Sequence, residues 1–557
     1  MRKYLVDSYY LTCLALVLIS LSMTPWMNSD SLVIPKLIIF FSATLYLLPR
    51  LFLKSFSLQS LPYFKVVYVV SALILLQLLL VMFLSNAPYE QQIFGRTGRG
   101  LGLMTEFSFL VFMIISMRSV NFDKLKFLFG ALFLAGTATS IYSIFQWFGL
   151  DIFEWITRTN GIIGTLGNPN FQSAFATMVL FPILVLFKGR QQRILLTLIA
   201  LAPIILLIYL SESTQGYLIL AATILIYALL YTWYKNRLFF YVIFSFSGLI
   251  TSVVVMGILN YGPLSQYLYK ISVQSRGEFY RTAIAIANQN PFFGVGIDSL
   301  GDYYLMYRDE KAARGIGEFA DNAHNIFLNH AATGGYPLMI IYLVLMALVL
   351  FCFIKYVIRS QTFDVKMAAL FCAWSAYQLQ SLVNPANVSM VAINAVLSGS
   401  IVGLSSNMIS HRAESKVKNI SKLKYTSPFS NLLLVISLII CYPYFNVDRL
   451  ALLASNTGNG ELALESATAY PESVLRYSRI GQDFIKSNLA PQALEIARSA
   501  VQFNPDAVSA WGLLLVNNLA TLEERNEAKR QILRLDPFNK DVANLVIPDV
   551  IEPQNSK

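Results

Sequence analysis

His324 is the first side chain with obvious chemical potential. The chain has three histidines, and this one follows Asp321 by three residues in Asp321-Asn-Ala-His-Asn-Ile-Phe-Leu328. A carboxylate at that spacing can orient an imidazole, and an unperturbed imidazole has the right pKa for a general base near neutrality. His330 lies on a different helical face and reads as structural. Arg96 and Arg99 stand in the turn Phe94-Gly-Arg-Thr-Gly-Arg-Gly-Leu-Gly-Leu103. Glycines there let the backbone approach a ligand, and two guanidinium forks suit a phosphate; the same side chains could instead reach lipid headgroups. Arg276 and Tyr280 are four apart in Ser275-Arg-Gly-Glu-Phe-Tyr-Arg-Thr282 and share one helical face, whereas Arg281 points elsewhere. Asn168 and Asn170 bracket Pro169 where a helix opens. Asparagine caps helices well, and such a pair near a membrane interface also suits sugar hydroxyls.

The elements that position these residues must lie in a membrane. Of 557 residues, 56% are hydrophobic and 13% charged, about half the charge of a soluble domain. Met367 to His411 contains no Asp, Glu, Lys or Arg, and neither does Leu238 to Tyr269. Each stretch exceeds the roughly 20 apolar residues that one spanning helix needs, and about 13 such runs fit between residues 10 and 444. Backbone groups in lipid must be satisfied internally, so these runs are helices. The fold class is all-α: a polytopic transmembrane helical bundle.

Alternate loops differ in charge. The N-terminus and the loops near 50–65, 118–126, 188–193, 234–237, 354–366 and 405–428 carry 21 Lys and Arg, against 9 in the opposite set. That asymmetry predicts a cytoplasmic N-terminus and puts the loop 260–334 and the tail outside. It also accounts for the net charge of +11 without nucleic acid. The cysteines Cys13, Cys352, Cys372 and Cys441 each sit in an apolar run, which excludes a disulfide framework or zinc site. His411 falls on the cytoplasmic side.

The domain organisation expected is a membrane domain over 1–444, with 260–334 as a long outer loop, and a charged, Ala-rich tail over 445–557. In the tail Ala-Tyr-Pro471, Phe-Asn-Pro505 and Leu-Asp-Pro537 recur at intervals of 34 and 32 residues. A 34-residue period with proline closing each helix pair resembles tetratricopeptide repeats, which offer a groove to a protein partner. A small helical cap on the membrane domain fits as well.

No nucleotide-binding Gly-x-x-x-x-Gly-Lys motif, His-Glu-x-x-His or Cys/His cluster occurs, so ATP-driven work and metal chemistry are not expected, nor any cofactor. A transporter of polysaccharide or lipid would place ionisable groups along a mid-membrane path, and Lys36 is a rare case. The order Gly164-Thr-Leu-Gly-Asn-Pro-Asn170, Arg276-x-x-x-aromatic, Asn290-Pro-Phe-Phe-Gly-Val-Gly296 and His324-Asn325-x-x-Leu resembles the O-antigen ligase / O-antigen polymerase superfamily over most of 90–355.

That resemblance implies a C-type glycosyltransferase fold in the bacterial inner membrane. It implies metal-independent transfer of a glycan from undecaprenyl diphosphate to a saccharide, lipid or protein acceptor at the outer face. Arg276 would bind the diphosphate and His324 would serve the acceptor, with Asn325 beside it. Attack from the face opposite the leaving group would invert the anomeric centre. Ser213-Thr-Gln-Gly216 departs from the family pattern, because Gln215 stands where a second arginine is often found; the second cationic role would then pass to Arg96, Arg99 or Arg281. The alternative activity is a polymerase that extends the lipid-linked polysaccharide. Arg276 and His324 are expected to approach each other despite the 48 residues between them.

Overall fold

The computed structural model describes residues 7–52, 63–151, 153, 155, 162–187, 191–310, 319–409 and 427–547. Among them every long regular element is a helix. Nine helices are long and apolar enough to cross a membrane. Other apolar runs fall on shorter helices, Ser8–Leu21, Leu103–Ser119 and Val365–Ser381 among them. The shorter ones are packed inside the bundle, so span length alone undercounts the apolar helices.

The helix Val388–Ile409 runs through the centre, and its span window is wholly buried. Its small residues explain that position. A Cβ at Gly399 or Gly403 would collide with the backbone of Met113 or Met117, so the glycines let this helix lie directly on Leu103–Ser119. Several of its polar groups find partners in the bundle. Ser398 accepts from the Trp374 indole (2.9 Å), Ser400 pairs with the Tyr9 hydroxyl (2.9 Å), and Asn394 accepts from Gln378 (3.0 Å). Lys36 is buried, with Nζ donating to the Ser22 carbonyl at 2.6 Å. At the other extreme, the span window of Arg237–Ile258 buries nothing against the protein, and Phe244 and Phe246 project outward, as a lipid-facing helix requires.

Loops sort onto two faces. On one, Lys124 pairs with Asp7, Arg118 donates to the Leu51 carbonyl and Lys366 to that of Phe122. These are members of the basic set. His411 and most of the 405–428 loop lie outside the described residues. The opposite face carries the 260–334 segment, built on an amphipathic helix Ile271–Gln289 and a short helix Leu300–Tyr307.

The last apolar helix, Ser427–Thr457, continues past Tyr444 without a break. Beyond it, Val474–Lys486 pairs with Ala490–Phe503, and Val508–Leu515 with Leu522–Leu535. These pairs bury their own core of Tyr477, Ile480, Ile496, Leu513, Leu514 and Ile532. Pro471, Pro505 and Pro537 each follow a helix end, at Thr468, Phe503 and Leu535, as prolines that cannot continue a helix do.

Candidate functional site

Arg276 lies on Ile271–Gln289 and is half-buried. Its Nε donates to the Val383 carbonyl (2.6 Å) and one terminal nitrogen to the Ser272 carbonyl (2.8 Å). The other terminal nitrogen reaches Gln215 Oε1 (3.0 Å) and Asn384 Oδ1 (3.3 Å). All of these acceptors are neutral, and among the described residues no carboxylate is bonded to it. Burial lowers its pKa from the ordinary value, offset in part by nearby Tyr280. An arginine stays charged through such a shift. Arg276 is an oriented cation whose charge no carboxylate among the described residues cancels.

One helical turn on, the Tyr280 hydroxyl donates to the Leu382 carbonyl at 2.7 Å. Asn325 donates to the same carbonyl at 3.2 Å, and its Oδ1 caps the helix that begins at Ile326. His324 therefore sits beside the arginine face, with its ring centroid 5.0 Å from that of Phe279. Its backbone is left-handed (φ 55°), held by the His324 amide donating to Asn322 Oδ1 (2.9 Å). Its Nδ1 is buried, with no partner among the described residues. Burial first, and then the charges of Arg276 and Arg99, push the imidazole pKa down to about 4. The ring is a neutral base at physiological pH.

Asp321 does not orient that ring. Both its oxygens accept from Arg99, at 2.8 and 2.9 Å. Burial alone would raise this carboxyl, but Arg99 outweighs it and holds the pKa below the ordinary value. Arg96 is likewise engaged, its guanidinium 2.8 Å from Asp302 and its amide 2.7 Å from Asp298. The expectation that Arg96 and Arg99 offer free forks to a phosphate is thus corrected: each is neutralised by a carboxylate about 200 residues away in sequence. Arg281 is exposed and pairs with Glu278 and Asp309.

Asn168 caps the helix Pro169–Leu186 by accepting from the Asn170 amide (2.8 Å). Asn170 Oδ1 accepts from the Ser213 hydroxyl (2.7 Å), which in turn caps the helix carrying Gln215. Gln215 Nε2 is buried and unpartnered. The two asparagines position the wall of the site rather than line it.

Sequence reasoning missed the segment 382–384, which holds Arg276, Tyr280 and Asn325 together. A signal was present: Asn384-Pro-Ala-Asn387 echoes Asn168-Pro-Asn170, and Asn387 donates to the Leu166 carbonyl at 3.2 Å to join the two turns. Gln77 was missed as well. Alone among apolar neighbours, it donates to the carbonyls of Phe292 (2.7 Å) and Gly334 (3.0 Å). Those two glycine-rich turns interlock through Val295 and Gly296 amides on Ala332 and Thr333. Gly294 (φ 61°) makes this possible, since a Cβ there would sit 2.5 Å from the Ala332 carbonyl oxygen. The Asn-Pro-Phe-Phe-Gly-Val-Gly motif is therefore a backbone clasp beneath the His324 turn. Asp298, at its end, is buried, and that burial raises its carboxyl to about 7, although the Arg96 and Leu101 amides oppose the rise.

Residues 198–343 match the family model described as O-antigen ligase. No curated protein matches the chain. The matched stretch holds Gln215, Arg276, the glycine clasp and His324, and it stops before 382–384 and before the tail. That stretch of the chain is thus similar to the O-antigen ligase family model, in keeping with the order of its motifs. Together with the apolar helices, this describes a multi-pass membrane protein, part of which is similar to O-antigen ligases.

Proposed function

We propose that the protein transfers a glycan from undecaprenyl diphosphate to an acceptor at the outer face of the bacterial inner membrane. One observation carries this reading. A fixed guanidinium with no carboxylate partner among the described residues and a half-buried, neutral histidine meet at one carbonyl-lined turn, the histidine through its neighbour Asn325. A lipid-diphosphate glycan is already activated, and its departing diphosphate gains negative charge that Arg276 would stabilise where water is scarce. Gln215 Nε2 would supply a neutral donor beside it. His324 would take the proton of the acceptor hydroxyl as that oxygen bonds the anomeric carbon; the carbon–phosphate-oxygen bond breaks on the opposite face, and the configuration inverts. Grouped metal-ligating side chains do not occur among the described residues, so the positive charge is assigned to arginine. Positive loops assign the basic face to the cytoplasm, and with it residues 445–557 to the outside as a helical repeat unit.

The test is transfer by purified protein given extracted lipid-linked glycan and candidate acceptors. His324→Ala is expected to lose about 10²–10⁴ in rate with donor binding kept. Arg276→Lys is expected to lose both rate and donor affinity, because a point charge does not replace a fork. Full activity of the His324→Ala protein would remove the base assignment, and growth of glycan on its own lipid carrier would turn the reading to a polymerase.

A further inference from the structure

The periodic prolines of the tail mark an edge, and that edge is occupied. The residue before each one reaches the membrane domain. Tyr470 packs its ring on Phe94 at 6.1 Å, Asn504 donates to Asp302 at 3.2 Å, and Asp536 accepts from Arg308 at 2.7 Å. Neighbouring positions repeat the pattern: Ser473 bonds Thr97 (2.7 Å), and Asp506 accepts from the Tyr303 hydroxyl (2.7 Å). The Arg308–Asp536 pair is buried on both sides, unlike an incidental surface contact.

All of these contacts fall on the glycine turn 94–99 or on the helix Leu300–Tyr307 with its cap Arg308, and both lead to His324. Asp302 is the junction. One oxygen takes Arg96, and the other takes Gln91 (2.9 Å) and Asn504 from the tail. The Arg99 amide bonds the Arg96 carbonyl (2.9 Å), and the Arg99 side chain grips Asp321. Asn322 next to Asp321 holds the His324 amide in its left-handed turn. Gly301 permits the close stacking, since a Cβ there would meet Arg96 at 2.7 Å and the Asp321 backbone at 3.0 Å. Two ion pairs, Arg96–Asp302 and Arg99–Asp321, and the hydrogen bonds that link and flank them thus join the tail to the histidine turn.

We propose that the C-terminal helices are an intramolecular brace for the His324 turn, with Asn504, Asp506 and Asp536 as positioning residues that act through Asp302, Arg96 and Arg99. This rests on the reading of His324 as the base. On this account the proline edge of the repeats is closed to outside partners.

The test uses the full-length protein in the transfer assay. Asp536→Ala, and separately the milder pair Tyr303→Phe with Asn504→Ala, are expected to lower kcat by about 10–100-fold, the cost of a base misplaced by about 1 Å. Donor KM is expected to stay within about twofold, because Arg276 is held from the other side of the site. The exchanged pair Arg308→Asp with Asp536→Arg is expected to recover most of kcat. Backbone hydrogen exchange supplies a readout without catalysis: amides of 319–325 are expected to exchange at least about tenfold faster in Asp536→Ala, with the tail helices unchanged. Should Asp536→Ala aggregate, the milder pair decides. Wild-type kcat in that pair, or unchanged exchange at 319–325, would overturn the brace. An active His324→Ala protein would instead remove the base, and the exchange result would still judge the brace.

Discussion

Arg276 differs from Arg96 and Arg99 in its partners alone: neutral oxygens hold the first and carboxylates the other two. That contrast suggests a test at one atom. Asn384 is buried and offers an amide oxygen to Arg276. Asn384→Asp would place a carboxylate there and cancel the charge meant for diphosphate. Donor KM is expected to rise at least about tenfold, more than for Asn384→Ala, because a charged hydrogen bond is roughly twice as strong as a neutral one. Equal values for the two variants would show that Asn384 only supports the fold. A pH profile tests the histidine. With its pKa at about 4, His324 is neutral throughout the physiological range, so kcat/KM is expected to be flat from about pH 6 to 8 and to fall only below about pH 5. An acid limb centred near 6.5 would mean that the imidazole is solvated in the working enzyme rather than held in the site as described. Arg276 and His324 stood out in the sequence as candidates because their motifs are ordered and histidine occurs only three times in the chain. The roles of Arg96, Arg99 and Asp321 were not, since an ion pair between residues about 200 apart leaves no local trace.

Helices were the most legible elements. Lipid leaves the backbone no alternative, so each apolar run had to fold as one. What the runs concealed was how their ends interlock. Gln77 reads as an oddity in a hydrophobic segment, yet it ties the Asn290–Gly296 turn to the Gly334–Gly335 turn. The clasp also depends on Gly294. Gly294→Ala is expected to cost about 1–3 kcal/mol, since it combines a left-handed backbone with a collision against Ala332. Thermal unfolding in detergent is the measurement, and a melting temperature equal to wild type would show that the turns can part freely. Gln77→Leu should act in the same direction by leaving the Phe292 and Gly334 carbonyls unpaired. The tail repeats show the converse: their period was visible, but not the surface they rest on. A partner groove and a cap on the membrane domain predict the same spacing of prolines.

At the scale of the molecule, the orientation across the membrane is a proposal that rests on loop charge alone. The structure makes that assignment testable with little background. All four native cysteines are buried and so should resist a membrane-impermeant maleimide. Ser455 on the tail side and Lys235 on the basic side are both exposed. In intact spheroplasts Ser455→Cys is expected to label and Lys235→Cys to stay unlabelled until the membrane is permeabilised. The reverse pattern would put the Arg276–His324 site in the cytoplasm. It would then face nucleotide-activated sugars, and the case for a lipid-diphosphate donor delivered to the outer leaflet would fail. Labelling of both residues in intact cells would mean that the helices between them do not separate two compartments, contrary to the burial of Val388–Ile409 at the centre of the bundle.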